Sequence, residues 1–173
     1  MFDTALNELI NIIEQNTDAS ININPDFFNG SCLQVEGHDE VYIVMSGKKR
    51  HIPNKDTYNG IFLNWNKIIK ITGKAGTIWK AVVDSIPNGD ALTSGALLIK
   101  SKTSDPVYLL TNNKKYYVNN PAEFNSCNFD WNKISSYPQI VIDAIPEGKK
   151  TCLCLQINLN LNYLLKSEPV GFG

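Results

Sequence analysis

The sequence predicts an α+β protein. It is read as two hairpin-plus-short-helix repeats related by pseudo-twofold symmetry, with an N-terminal helix and a long C-terminal strand. Three observations carry this. A stretch of 28 positions, 41–68, recurs without a gap at an offset of 66. Within each copy a short β-rich apolar run, a turn and a second run are followed by helix-start chemistry. The C-terminal segment alternates apolar and polar residues strictly, the mark of a half-buried strand. A chain of 173 residues fits one domain, 1–173, and is long enough to bury its own core.

Taken in chain order, Asp3 caps a predicted helix over 3–15, with Leu6, Leu9, Ile10 and Ile13 on one face. A polar connection, 16–29, leads to the first repeat, about 30–90; the second covers about 95–150. Ten positions are identical, including Val41/Val107, Tyr42/Tyr108, Lys49/Lys115, Asn59/Asn125 and Trp65/Trp131. Val41–Met45 and Lys48–Ile52 form a hairpin, and Ser46-Gly47 or Asn112-Asn113 tolerates the positive φ of a tight turn. Asn54 and Asn120 are N-caps, with Pro121 at the first helical position of the second copy. A Trp-Asn-Lys-Ile segment follows. Val82–Ile86 and Ile140–Ile145 then form short helical turns, stopped by Pro-Asn-Gly and Pro-Glu-Gly. The first copy carries seven extra residues before Val82, around Trp79. The C-terminal strand, about 152–164, places Leu153, Leu155, Ile157, Leu159, Leu161 and Tyr163 on one face. At about 60 residues per copy, the two units are expected to share one core.

Composition excludes several functions. The net charge is −1, without the positive field a dedicated nucleic-acid binder needs. No apolar run approaches the ~20 residues of a transmembrane helix. There is no Gly-x-Ser-x-Gly, Walker or His-Glu-x-x-His motif, so no catalytic residue and no cofactor are expected. Cys32, Cys127, Cys152 and Cys154, with His38 and His51, match no standard zinc spacing, so no metal is expected. Met1–Leu6 lacks a secretory signal. The expectation is cytoplasmic synthesis, with release or display by a non-Sec route, and cysteines kept as thiols. The 21 Asn and 15 Lys against one Arg, Arg50, read as compositional bias, so an individual Asn is not by itself functional.

Candidate ligand-binding residues are Trp79, Lys48, Lys49, Arg50, His51, Tyr116 and Tyr117. Trp79 is unpaired and Gly-flanked in the insertion. The others form a basic or aromatic hairpin strand in each copy, suited to an anionic glycan or an acidic partner surface. Trp65 and Trp131 are read as core, with sugar stacking as the alternative. The pattern Val-Tyr-Ile, Gly-Lys-Lys-Arg-x-Ile-Pro, Trp-Asn-x-Ile, Ile-Pro-x-Gly resembles a tandem repeat of bacterial secreted and envelope-associated proteins. The resemblance implies a non-catalytic binding module for cell-surface or cell-wall carbohydrate. Copy two departs from it, with Tyr116-Tyr117 for Arg50-His51 and Asn119 for Pro53. The alternative is a structural or adaptor subunit of a larger assembly, such as a phage-tail-like particle or toxin complex. It would assemble, or form a homo-oligomer, through the C-terminal strand.

Overall fold

The computed structural model describes residues 24–71 and 83–149. The expected N-terminal helix, the C-terminal strand and Trp79 lie outside the described residues. The architecture is α+β, with two four-stranded sheets. The first runs β3-β2-β1-β4, from β1 (Cys32–Val35), β2 (Val41–Met45), β3 (Lys48–Ile52) and β4 (Ile68–Ile71). The second runs β7-β6-β5-β8, from β5 (Leu97–Ser101), β6 (Val107–Thr111), β7 (Lys114–Val118) and β8 (Ile134–Tyr137). Both orders are the same.

The registers also coincide. Cys32 lies opposite Ile43 and Ile68 as Leu98 lies opposite Leu109 and Ile134. The offset of 66 therefore extends back into the first strand. Gly30 and Gly95 both have positive φ and precede these strands, but Gly30 stands two residues before Cys32 and Gly95 three before Leu98, so the copies differ by one residue between the glycine and the strand. The sequence reading also missed β4 and β8. Each is a four-residue strand directly after the Trp segment, parallel to β1 or β5. Parallel pairing needs a long crossover, which the hairpin and helix supply.

Local chemistry explains the hairpins and helices. At the hairpin tips Ser46, Gly47, Asn112 and Asn113 all have φ between 53° and 65°, the twist that suits a two-residue turn. Helices α1 (Lys55–Ile61) and α2 (Pro121–Ser126) are capped by Asn54 and Asn120, whose side chains accept from the N–H of Thr57 and Glu123 at 2.8 and 2.9 Å. Such short helices are not stable alone, and packing holds them.

A single core joins the halves. Tyr58, Ile61 and Phe62 from one and Leu98, Phe124 and Phe129 from the other belong to the same buried cluster. Phe62 forms an antiparallel bridge with Phe129. The Leu63 N–H donates to the Asn128 carbonyl at 2.9 Å, and the Asp130 N–H to the Ile61 carbonyl at 3.0 Å. The Lys133 ammonium closes on the Phe62 carbonyl.

One expectation needs correction. Cys32 is a free, fully buried thiol, and burial pushes its pKa well above the ordinary value. Cys127, at the end of α2, is disulfide-bonded instead.

Candidate functional site

The two matched tryptophans are not core residues. Trp65 and Trp131 are 39% and 47% exposed. Each begins a one-turn 3-10 helix, Trp65–Lys67 or Trp131–Lys133, capped by Asn64 or Asp130. This turn lifts the indole onto an aromatic ring of the preceding helix instead of inserting it. Trp65 packs on Tyr58 with centroids 4.4 Å apart, and Trp131 stacks on Phe124 at 3.8 Å. The rings beneath are fully buried. Each indole Nε1–H donates to an amide oxygen, Asn59 Oδ1 at 2.8 Å and Asn125 Oδ1 at 2.9 Å. One indole face is thus fixed and the other open. The identity of Asn59/Asn125 across the copies, six residues before each Trp, was the sequence signal for this arrangement.

Trp65 and Trp131 each line a cleft, of about 560 Å³ in the first half and about 550 Å³ in the second. Equivalent positions build both. Val41 and Ile52 correspond to Val107 and Val118, and Asp39 corresponds to Asp105. Asn54 and Asn120 close the helix end. An apolar floor, a planar aromatic wall and a rim of carboxylate and amide groups form the usual chemistry of a small polar-ligand site.

The cap of the second indole is titratable. Asp130 Oδ1 accepts from the Asn132 N–H at 3.0 Å and from its side-chain amide at 3.1 Å; Oδ2 lies 3.4 Å from Lys133 Nζ. The backbone hydrogen bond from Asn132 and the Lys133 charge hold this carboxyl below its ordinary pKa, against some desolvation. A depressed carboxyl stabilises fully above its unfolded value and loses that contribution as pH falls through the folded one. Asn64 in the first half has no proton to gain. On acidification the Trp131 indole N–H signal should therefore broaden before that of Trp65 in an NMR titration. Asp130→Asn should remove the difference.

The structure disperses the residues nominated from sequence. Lys48 is exposed. Lys49 points inward: its ammonium donates to the Val83 carbonyl at 2.6 Å, lies over the Tyr42 ring and sits 3.7 Å from Asp84. Lys115 does the same with Ile142 at 2.7 Å and Tyr108. Arg50 covers Gly89 and donates to the Asp90 carbonyl at 3.1 Å. Tyr116 covers Gly148 so closely that an added Cβ would lie 2.3 Å from the ring. The glycine of Ile-Pro-x-Gly is thus required by the flat group above it. His51 lies against Tyr42 as Tyr117 lies against Tyr108. Of the nominated residues among those described, Tyr117 alone lines either Trp cleft. Sequence reasoning missed Asp39, Asp105, Gln34 and Lys100, whose approach to the indoles depends on sheet register.

A smaller cavity of about 220 Å³ in the first half meets His38, Glu40 and Asp84. Among the described residues no group of three His, Cys, Asp or Glu could hold a metal ion. Nor is any helix among them long and apolar enough to cross a membrane. No family model, no curated protein and no solved structure matches the chain.

Proposed function

We propose that this chain is a non-catalytic carbohydrate-binding module with one tryptophan cleft per repeat, directed at cell-surface or cell-wall glycan. The observation that carries the reading is the pair of half-exposed indoles, each fixed on a buried ring and each lining a cleft. A pyranose offers a ring face of C–H groups to an aromatic wall and hydroxyls to carboxylates and amides at the rim. Two such clefts in one chain raise affinity for a polymer by effective concentration alone. The inward Lys49 and Lys115 ammonium groups lend no support to a basic strand as the contact surface. The resemblance to repeats of bacterial secreted and envelope-associated proteins points toward the same function, served by release or display outside the cell. In this reading the halves are related by a pseudo-twofold axis near the Phe62–Phe129 bridge, so the clefts present equivalent faces.

A glycan array followed by calorimetry on the best polymer tests the proposal. Trp65→Ala or Trp131→Ala alone should remove the bivalent gain, about 10²-fold or more in affinity. The double variant should not bind, while circular dichroism stays unchanged because both side chains are exposed. Full binding by the double variant overturns the reading. So does a wild-type protein that binds neither the array nor cell-wall preparations.

A second reading, an adaptor subunit of a larger assembly, is favoured by Ile140 and Val141, 78% and 42% exposed. Light scattering separates the two: an adaptor self-associates or elutes with partners, and a binding module need not.

A further inference from the structure

The clefts share their aromatic wall and differ in where a positive charge stands. Lys100 of the second cleft replaces Gln34 of the first, and Pro121 replaces Lys55. Gln34 is neutral and already engaged, donating its amide to the His38 carbonyl at 3.0 Å. Lys55 is exposed at the first position of α1, where water solvates it. Lys100 is different. It lies within β5, flanked by Val107 of β6 and Ser136 of β8, and is half-buried. Its ammonium has no hydrogen-bond or ion-pair partner among the described residues. The carboxylate in the same cleft, Asp105, is exposed and forms no ion pair with it. An ammonium that lines a cleft without a counter-charge favours an anion brought by a ligand. Tyr117 adds a second aromatic wall on this side, its hydroxyl donating to the Asn119 carbonyl at 3.3 Å.

We infer that the second cleft selects a pyranose bearing a carboxylate, with Lys100 as its counter-ion, while the first cleft takes an uncharged sugar. This rests on the reading of the clefts as sugar sites. The two subsites would then suit a heteropolymer in which acidic and neutral units recur.

The indole N–H signals of Trp65 and Trp131, assigned with Trp65→Phe and Trp131→Phe, report each cleft separately by NMR. The probes are the methyl glycosides of glucuronic acid and glucose. The Trp131 signal should show about ten-fold tighter binding of the glucuronide, the worth of one charge-assisted hydrogen bond. Added salt should erode the preference. Lys100→Gln should abolish it and leave glucoside binding intact, and Gln34→Lys should create it at Trp65. Equal response to both glycosides at Trp131, or a preference that survives Lys100→Gln, overturns the inference and leaves the sugar reading standing. Silence of both indoles toward both glycosides overturns the two together.

Discussion

Phe124→Ala should lower stability by about 3–5 kcal/mol, the cost of deleting a fully buried aromatic ring. For a chain of this length that corresponds to a fall in Tm of roughly 6–20 °C. The ring is fully buried, stands edge-on to Phe129 at 5.4 Å and carries Trp131 on its outer face at 3.8 Å. Removing it leaves a cavity that α2 cannot close, because a six-residue helix owes its shape to this packing. The substitution also removes the floor on which the second indole rests. Ligand response at Trp131 should therefore vanish at temperatures where the protein is still folded, while Trp65 still responds. Scanning calorimetry adds a check on the shared core. Because Phe124 and Tyr58 belong to one cluster, the variant should melt in a single transition. Two resolved transitions would show halves that fold independently.

Sequence reveals the parts of this protein that depend on neighbours along the chain. The hairpin tips at Ser46-Gly47 and Asn112-Asn113 and the caps Asn54 and Asn120 are local chemistry, and all form where expected. The strands β4 and β8 are four residues each, too short for a period-two pattern to stand out beside the adjacent Trp-Asn-Lys. The tryptophans were misread because size and repetition suggest burial. Their fate is decided by a 3-10 turn and an amide six residues upstream, neither of which hydrophobicity reports. The basic strand divides for a converse reason. Alternation along β3 sends Lys49 to the opposite face from its neighbours, and Lys49 is buried while Lys48 is exposed. Lys100 reaches the second cleft through the pairing of β5 with β6, which one sequence does not display, and Asp105 reaches it from the connection just before β6.

Lys115→Ala should cost about 2–4 kcal/mol, a large effect for a lysine, because this one is not a surface charge. It is 6% exposed, donates to the Ile142 carbonyl at 2.7 Å and lies 5.4 Å from the centroid of the Tyr108 ring. A hydrogen bond to a charged donor contributes about 1.5–3 kcal/mol and a desolvated cation–π contact about 0.5–2 kcal/mol. The carbonyl belongs to α3 (Gln139–Ala144), and the backbone of the same lysine holds the next segment. Its N–H donates to the Pro146 carbonyl at 2.9 Å, and its carbonyl accepts from the Gly148 N–H at 2.8 Å. One residue thus pins the Ile-Pro-x-Gly motif to the edge of the second sheet by side chain and main chain together. Lys115→Met separates the contributions. It keeps the apolar stem and the backbone bonds and removes only the charge, so it should recover about 1 kcal/mol of the loss. Because the ammonium is buried, the deficit of Lys115→Met should persist at 1 M salt, where a surface ion pair would be screened away. A Lys115→Met protein as stable as wild type in urea titrations would show that desolvating the ammonium cancels its hydrogen bond, as happens in some buried ion pairs. Lys49 makes the same contacts in the first half with Val83 and Tyr42. The two alanine variants should therefore combine additively, within about 0.5 kcal/mol.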